Sequence, residues 1–386
     1  MTVPPGDRRS SRRSVARRHR NPRWVPVTAA AGAILIIIGL VLYFGGDDPG
    51  LQTRVGQSAG AGGADGAGPA GTAAGTPGAT GARPTAPSPT APSGCVTGRT
   101  IAAGSSRQSV QVGADTRTYQ LAVPAVDAGA RALPLVLAFH AFGEAPAALE
   151  RYAHLAAIGT RTGYVVVTPD GVNGRWNFPR RATIGPDDVA FVAALIGDLG
   201  TRMCLDSRRV FATGLADGAD MAVTAACELP GIFAAVMPVA FAVLPASCSG
   251  PAPSLLAING TSDPVTPLEG GGADRPAPFE GTQAQPMQAR LDRYAGFVGC
   301  GPASAWMRDT TALRRLVFTS CPAGRDVGLL ASVGGGHVWP DPDADPPKGA
   351  ARAQFSATEV AFAFFRGHPT PAPATPVPST AAPPPR

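Results

Sequence analysis

The sequence predicts an α/β fold in which a mainly parallel sheet is covered by helices on both faces. Short continuous apolar runs alternate with segments of helical periodicity between residues 95 and 366. Uninterrupted apolar runs are typical of strands that are buried on both faces of a sheet. Alternating strand and helix units of this length connect parallel strands through crossover helices. A separate apolar segment, residues 25–46, predicts one transmembrane helix before this region.

The predicted elements follow one another in a regular order. One helix is predicted to open at Pro186, which suits a first helical turn, and Asp187 and Asp188 complement its dipole. The other helices are predicted at residues 145–159, 217–229 and 353–365. Strands are predicted at residues 116–124, 134–139, 164–168, 210–213, 234–239 and 254–259, and near 315–319 and 327–333.

Composition divides the remaining chain into further segments. The 386 residues include 48 Gly and 41 Pro, and residues 56–94 hold only three residues other than Ala, Gly, Pro, Ser and Thr. Such a segment cannot bury enough apolar surface to offset its chain entropy, so residues 47–94 are predicted to be a disordered stalk. The proline-rich tail, 367–386, is also predicted to be unpacked. Residues 95–366 then form one folded domain, which is large enough for a single core.

The formal net charge of +6 arises at the N-terminus. Residues 1–46 carry eight Arg and one acid, Asp7, so the rest of the chain has a net charge of −1. No basic groove is left for nucleic acid, and we expect no DNA or RNA partner.

The same arginines orient the apolar segment. Residues 27–44 carry no charge, and as a helix they would rise about 27 Å, close to the roughly 30 Å of a hydrocarbon core. The Arg-rich residues 1–24 precede this segment and Asp47 and Asp48 follow it, which places the N-terminus in the cytoplasm. We expect an uncleaved signal anchor with the folded domain outside the cytoplasm. Secretion after signal cleavage is the alternative.

The cysteines indicate disulfides rather than metal binding. An even number in an exported domain predicts three disulfides, and Cys300 and Cys321 are the pair expected first, with the other pairings open. No C-x-x-C pair or nearby His cluster favours a metal, and Asp341, Asp343 and Asp345 lack the Gly and Glu of a calcium loop. We expect no metal and no cofactor. The six cysteines are Cys95, Cys204, Cys227, Cys248, Cys300 and Cys321.

Polar residues stand at the ends of four predicted strands. His140 ends one strand, Asp263 and His337 follow two others, and residues 214–218 (GLADG) join a strand to a helix. Glycines on both sides of a sharp strand–turn–helix are the context of a nucleophile elbow, and the order elbow, acid, base is that of an α/β-hydrolase triad. Such chemistry sits at the carboxyl ends of parallel strands. The sequence therefore predicts an α/β-hydrolase site with Asp263 as acid and His337 as base.

The elbow also carries a specific resemblance. Residues 209–227 (RVFATGLADGADMAVTAAC) resemble the elbow of secreted esterases of the polyhydroxybutyrate depolymerase and feruloyl esterase type, which reads RVYATGLSNGAMMA. The similarity continues at residues 260–264 (GTSDP) and 335–340 (GGHVWP) and extends over nearly all of 95–366. It implies the α/β-hydrolase fold and ester hydrolysis through an acyl-enzyme.

The departures from this family pattern bear on activity. Ala216 stands where the family has its nucleophilic Ser, and Asp217 stands where it has Asn. The family's His-Gly at the oxyanion strand is His-Ala at 140–141, and its His-Gly before the acid loop is Asn-Gly at 259–260. Because Ala offers no nucleophile, we expect hydrolysis to be lost or severely weakened.

The oxyanion region is expected at Ala141, Phe142 and Asp217. The carboxylate of Asp217 would oppose developing negative charge, and the Cβ of Ala141 would strain a backbone that suits glycine. Three further residues could either line a substrate cleft or belong to the hydrophobic core. They are His140, Trp176 and Trp339.

Other nucleophiles are weighed and not favoured. A literal G-x-S-x-G occurs at residues 56–60, but no strand precedes it. Asp217 is one residue out of phase with the summit of the elbow, and Ser262 belongs to the acid loop.

Three functions remain open from the sequence. The first is a membrane-anchored, esterase-like protein that has lost hydrolysis and acts by binding. The second is an active hydrolase of polyesters, acylated polysaccharides or small esters with a non-standard nucleophile. The third is a structural surface protein whose stalk and tail are the functional parts.

Overall fold

A computed structural model describes residues 94–126, 131–178, 185–272 and 282–370. The predicted segments 1–24 and 25–46, the stalk up to residue 93, and the tail from residue 371 lie outside the described residues. Within the described ranges, no helix is both long enough and apolar enough to cross a membrane.

The structure contains ten strands and seven helices in the part of the chain that it describes. The strands are β1 Gly104–Val112, β2 Asp115–Val123, β3 Leu133–Phe139, β4 Val165–Pro169, β5 Leu205–Leu215, β6 Ala235–Val239, β7 Ser254–Gly260, β8 Met307–Arg308, β9 Leu313–Val317 and β10 Val327–Ser332. The helices are α1 Gly94–Thr97, α2 Pro146–Ala153, α3 Leu155–Arg161, α4 Asp188–Arg202, α5 Asp217–Glu228, α6 Met287–Val298 and α7 Ala357–Gly367.

The strands form one sheet in the order β1-β2-β4-β3-β5-β6-β7-β10-β9-β8. The six central strands, from β4 to β10, are parallel, and antiparallel strands complete both edges. The prediction of a mainly parallel sheet is confirmed. Its central strands are the predicted apolar runs, since β3, β4, β6 and β7 are buried along their whole length.

Helices cover both faces of the sheet, as predicted. Alternate residues of a strand point to opposite faces, and in β3 Leu135 and Leu137 belong to one core while Val136 and Ala138 belong to the other. The first core includes the apolar sides of α4, α5 and α6. The second includes those of α2, α3 and α7.

Two helices differ from their predicted bounds. The predicted helix at 145–159 is divided into α2 and α3, because His154 between them adopts a left-handed conformation with φ 52°. The last helix begins at Ala357 instead of residue 353, and the hydroxyl of Ser356 caps it by accepting the N–H of Glu359. The helix that opens with Asp187 and Asp188 is placed as predicted, and the Asp187 side chain accepts the N–H of Ala190.

The three predicted disulfides are confirmed. Cys300–Cys321 is the pair expected from the sequence, and the pairs that had been left open are Cys95–Cys204 and Cys227–Cys248. Cys95–Cys204 joins α1 to the segment between α4 and β5. Cys227–Cys248 joins the end of α5 to the loop before β7.

The packed region continues a few residues beyond 366. Gly367 ends α7, and the next residue, His368, is buried with Nε2 2.7 Å from a carboxylate oxygen of Asp326. The backbone N–H of Thr370 then donates to the carbonyl of Arg208 at 2.8 Å. The first four residues of the predicted tail therefore contact the domain.

Candidate functional site

The turn between β5 and α5 has the backbone of a nucleophile elbow. Ala216, between strand and helix, has φ 53° and ψ −114°, a conformation that non-glycine residues rarely adopt. Its N–H donates to the carbonyl of Val239 in β6 at 2.9 Å. Gly218 allows α5 to approach β3, because a Cβ at this position would lie 2.1 Å from the carbonyl oxygen of Phe139. The sharp turn is therefore present with an alanine at its summit.

An acid and a base meet beside this turn. Asp263 follows β7 and His337 follows β10, two adjacent parallel strands. Nδ1 of His337 lies 2.8 Å from Oδ2 of Asp263. The Asp263 side chain is fully buried, whereas that of His337 is 20% exposed. A carboxylate at Nδ1 favours the tautomer with the proton on Nδ1, which leaves Nε2 as the basic nitrogen.

The acid loop fixes the Asp263 carboxylate with several donors. Oδ1 accepts the backbone N–H groups of Val265 and Thr266, each at 2.8 Å, and Oδ2 accepts the Thr266 hydroxyl at 2.7 Å. Burial raises the pKa of Asp263, but the hydrogen bonds from His337 and Thr266 outweigh burial and hold the pKa below its usual value. Asp263 is therefore an anion that can orient His337 at neutral pH.

Asn259 stabilises the same loop. Its side-chain N–H groups donate to the carbonyls of Gly260 and Thr266 at 3.0 and 2.9 Å. Gly260 lies so close to the His337 loop that a Cβ there would be 2.2 Å from the carbonyl oxygen of Gly335. The Asn-Gly pair thus joins the loops of the acid and the base.

A cavity of about 220 Å³ lies over the elbow. It brings together five of the residues that the sequence analysis singled out, and Asp220 borders it as well. Its remaining wall is largely apolar. The lining residues are Ala141, Phe142, Ala216, Asp217, Asp220, Ala240, Ala242, Val265, Thr266 and His337.

Two carboxyl groups face this cavity from the first turn of α5. Burial raises the pKa of Asp217 to about 7, although the N–H of Trp176 donates to its Oδ2 at 3.3 Å. Burial also holds the pKa of Asp220 well above its usual value, against the effect of N–H donors from Ala242 and Val243. Desolvation disfavours the charged form of both groups.

The oxyanion region differs from its expected form. The N–H of Asp217 begins α5 and is one of the helix N–H groups without a partner in the helix itself. The N–H of Ala141, by contrast, points to Oε2 of Glu144 at 3.3 Å, and this oxygen also accepts the Tyr152 hydroxyl at 2.8 Å. The expectation of strain at Ala141 is wrong, because Ala141 is not among the described residues with positive φ. Phe142 borders the cavity and is 47% exposed.

The three residues considered for the cleft lie in different places. His140 is buried, with Nδ1 2.9 Å from the carbonyl of Ala141 and Nε2 accepting the N–H of Gly171 at 3.0 Å. Burial lowers the pKa of His140, so its imidazole is neutral. Trp176 packs against it in the core and donates its indole N–H to the His140 carbonyl at 2.9 Å. These two residues are buried, and neither lines the cavity over the elbow.

Trp339 borders a second cavity of about 290 Å³. Its indole N–H donates to the Thr358 hydroxyl at 3.0 Å, which anchors the ring at the wall. Glu144 and Tyr152 also line this second cavity. His337 borders both cavities, which therefore adjoin at its ring.

The remaining sequence candidates stand apart from the cavity over the elbow. Ser262 is exposed in the acid loop, and the G-x-S-x-G at 56–60 lies outside the described residues. The side chain of Asp345 is 97% exposed and pairs with Arg352 at 2.6 Å. Among the described residues, no group of three or more His, Cys, Asp or Glu side chains could hold a metal ion.

Asp220 is the site residue that sequence reasoning missed. A signal was present, because the family elbow RVYATGLSNGAMMA has Met where this chain has Asp220. In an apolar helix pattern a single acid is read as a solvent-facing residue. Here the helix is buried on nearly all sides, so the acid faces a cavity.

An elbow, an acid and a base in this order and at these strand ends define a protein of the α/β-hydrolase fold. No family model matches the chain. "Putative esterase NocK" of Nocardia uniformis subsp. tsuyamanensis is 30% identical over 288 residues, which cover 68% of this chain and 83% of NocK. The chain therefore belongs to the esterase-like α/β-hydrolase family that includes NocK.

Feruloyl esterases are more distant relatives. Feruloyl esterase B of Piromyces equi is 27% identical over 233 residues, 55% of this chain and 41% of its own length. Feruloyl esterase C of Emericella nidulans is 33% identical over 108 residues, 28% of this chain and 38% of its own length. The chain thus spans less than half the length of these two relatives.

Solved structures with overall similarity include an acetyl xylan esterase from Aspergillus awamori. It has a TM-score of 0.42 and 16% identity, and covers 60% of this chain and 94% of its own. A second structure, called pOPH, has a TM-score of 0.43 and 15% identity, and covers 67% of this chain and 98% of its own. Similarity at this level carries no argument about function.

Proposed function

We propose that this protein is a membrane-anchored, extracytoplasmic member of the polyhydroxybutyrate depolymerase and feruloyl esterase-like branch of its family, and that it acts by binding. Ester hydrolysis is lost or severely weakened in this proposal. The observation that supports it is Ala216, which puts a methyl group at the summit of an elbow that otherwise has the expected backbone. The relatives named as feruloyl esterases support an ester as the ligand class, and we propose a polyester, an acylated polysaccharide or a small ester within it.

The chemistry of the site supports the loss of activity. The Asp263–His337 pair can accept a proton, but a methyl group has none to give and no lone pair to attack a carbonyl. In a triad protease, removal of the serine lowers turnover by about 10⁶ and leaves only the effects of binding and of the oxyanion hole. A base without a nucleophile leaves a shaped cavity that can still hold a ligand.

Asp217 is a poor substitute for the missing serine. Its Oδ2 faces the N–H of Trp176, and burial raises its pKa to about 7, so a large fraction is protonated at neutral pH. A protonated carboxyl is not a nucleophile. Hydrolysis through a non-standard nucleophile is therefore the second candidate function, and a structural role of the surface protein is the third.

Labelling with a fluorophosphonate probe tests this proposal. The wild-type chain should show no covalent labelling, since the hydroxyl on the described cavity wall, that of Thr266, donates to the Asp263 carboxylate and not to His337. Ala216→Ser should become labelled, and Ala216→Ser with His337→Ala should not. Labelling of the wild-type chain at a residue of this cavity would contradict the loss of activity.

The membrane location is tested separately. We propose that residues 25–46 anchor the protein and that residues 95–366 lie outside the cytoplasm, on the strength of the arginines before and the acids after the apolar segment. The three disulfides agree with an oxidising compartment. Protease added to intact cells should release a fragment that begins within residues 56–94. Recovery of the domain in the cytosolic fraction would contradict the proposed topology.

A further inference from the structure

We infer that the cavity over the elbow binds a small ligand through a protonated amine, which pairs with the carboxylates of Asp220 and Asp217. This inference rests on the proposed function, because it assigns a binding role to a cavity that has lost its nucleophile. It adds the chemical class of the group that the cavity recognises.

Asp220 is the first argument. The residue is 1% exposed, and it borders the cavity. Its Oδ1 accepts two backbone N–H groups, from Ala242 at 2.7 Å and from Val243 at 2.9 Å. Its Oδ2 accepts no hydrogen bond from the part of the chain that the structure describes. Asp220 therefore presents a carboxyl oxygen without a donor among the described residues at the wall of the cavity, and a ligand donor there would satisfy it.

Asp217 provides a second carboxyl on the same wall. It lies three residues before Asp220 on α5, so the two side chains share one face of the helix. The charge of Asp217 raises the pKa of Asp220, because it disfavours ionisation of the second carboxyl group. A cation between them would relieve this repulsion.

The charge balance of the cavity favours a cationic ligand over an anionic one. No Lys or Arg side chain is found among the described lining residues. Arg290 is close enough to lower the pKa of Asp220, and Arg175 lowers that of Asp217, but neither lines the cavity. Asp188 adds further negative potential near Asp217. His337 is the basic side chain on the described wall.

The remaining wall sets the size and character of the ligand. Phe142, Ala240 and Val265 supply apolar surface around the two carboxyl groups. The volume of about 220 Å³ is below the range of roughly 300–1,000 Å³ that suits drug-sized ligands. A short alkyl or aryl body with one ammonium group fits both the size and the polarity.

The raised pKa values make this binding depend on pH with a definite sign. Both carboxyl groups retain protons above their usual range, and a bound ammonium stabilises their ionised forms. Binding therefore releases protons, and affinity should increase as pH rises. A neutral carbonyl ligand would instead accept a hydrogen bond from a protonated carboxyl group, and its affinity would decrease as pH rises.

Calorimetric titration of the full chain with n-butylammonium chloride tests the inference, with n-butanol and 2-butanone as neutral counterparts. The amine stays protonated between pH 5.5 and 7.5, because aliphatic ammonium groups titrate near 10. We expect n-butylammonium to bind at least about tenfold more tightly than n-butanol at pH 7.5. Its affinity should rise with pH by up to about tenfold per unit for each proton released.

Matched variants identify the groups responsible. Asp220→Asn should weaken n-butylammonium binding at least about tenfold at pH 7.5, and Asp220→Asn with Asp217→Asn should abolish the pH dependence. Asp198→Asn, which removes a charge from α4 away from the cavity wall, should bind as wild type does. His337→Ala should retain the pH dependence, which separates the carboxyl groups from His337.

Several results would overturn the inference. Equal affinity for n-butylammonium and n-butanol, affinity that falls as pH rises, or unchanged binding by Asp220→Asn would each do so. Tighter binding of 2-butanone that weakens with pH would assign the carboxyl groups a donor role instead. An ester-hydrolysis assay on the same wild-type sample separates failure of this inference from failure of the proposed function. The proposed function fails only if the wild-type protein hydrolyses esters and substitutions in this cavity abolish that hydrolysis.

Discussion

Restoring the serine at the elbow is the most direct perturbation that the structure suggests. Ala216→Ser adds one oxygen at a position that is already held at φ 53° and ψ −114°. Backbone strain of this kind costs about 1–3 kcal/mol, and the wild-type chain already bears it. We therefore expect the substitution to change the free energy of unfolding by less than about 1 kcal/mol.

The expected gain in activity follows from the parts that are present. A complete triad contributes about 10⁶ in turnover, but a single oxyanion donor is worth about 10²–10³. The N–H of Asp217 is available at the start of α5, whereas that of Ala141 is engaged with Glu144. With one donor in place of two, Ala216→Ser should hydrolyse p-nitrophenyl butyrate at least about 10² above wild type.

Two further substitutions separate the contributions. In an assay at pH 8, Ala216→Ser with Asp217→Asn should gain up to about tenfold more, because Asp217 is mostly ionised above its pKa of about 7 and the neutral amide no longer opposes the oxyanion. Adding Ala141→Gly should change little, since Ala141 shows no backbone strain that glycine would relieve. A large gain from Ala141→Gly would mean that the N–H of residue 141 turns towards the cavity during turnover.

The assay has a clear negative control. Each gain should vanish on adding His337→Ala, because His337 is the base that Asp263 orients at 2.8 Å. Robust wild-type turnover that survives His337→Ala would show that hydrolysis takes place elsewhere. Wild-type turnover that Asp217→Asn abolishes would support an aspartate nucleophile and refute the proposed loss of activity.

Two predictions concern stability. In the folded state Asp217 keeps its proton up to about pH 7, whereas in the unfolded chain an Asp loses its proton near pH 3.9. Between these two pH values the folded state binds more protons than the unfolded state, so the free energy of unfolding falls as pH rises. Asp217→Asn should remove a slope of up to about 1 kcal/mol per pH unit, which urea unfolding at pH 5 and 7 would detect; equal slopes for both proteins would contradict the raised pKa. Gly218→Ala should destabilise the domain by about 3 kcal/mol in thermal or urea unfolding, because its Cβ would meet the carbonyl of Phe139. Gly200→Ala in α4 is the control, since nothing lies within 4 Å of its Cβ, and it should stabilise the helix slightly; similar effects of both substitutions would refute the close approach of α5 to β3.

Much of the sheet could be predicted because its central strands are buried on both faces. The runs that form β3 and β6 are apolar throughout, those that form β4 and β7 are largely apolar, and all four are buried along their whole length. The edge strand β1 was not predicted, because its sequence GSSRQSVQV is mostly polar and it pairs only with β2. An edge strand needs no apolar run, and its existence depends on its neighbour.

Helices were predicted less evenly. The break at His154 was missed, because a left-handed histidine leaves no trace in the apolar spacing of the flanking residues. The helix α6 was also missed, although Met287, Leu291, Tyr294 and Val298 are spaced on one face. The charged residues Arg290, Asp292 and Arg293 interrupt the apolar spacing of this helix.

In the candidate site, the residues that belong to a motif could be predicted, whereas the contacts that depend on tertiary packing could not. Motif order was sufficient to propose Asp263 and His337, because each stands directly after a strand and the strands are parallel neighbours. The engagement of Ala141 with Glu144 could not be predicted, since it depends on how Tyr152 and the loop after β3 pack. The burial of Asp220 was equally inaccessible, because it follows from what surrounds α5 on every side.

The contacts that shape the elbow explain how the chain can lack a nucleophile and still keep the site. The turn is held by the N–H of Ala216 on Val239 and by the close packing of Gly218, and neither contact needs a hydroxyl at position 216. The Asp263 loop is held by Asn259 and its own backbone donors. Asp220 has a structural role as well, because its Oδ1 accepts the N–H groups of Ala242 and Val243. These two hydrogen bonds use only Oδ1, and Oδ2, which borders the cavity without a donor from the described chain, is the atom for which we propose a ligand partner.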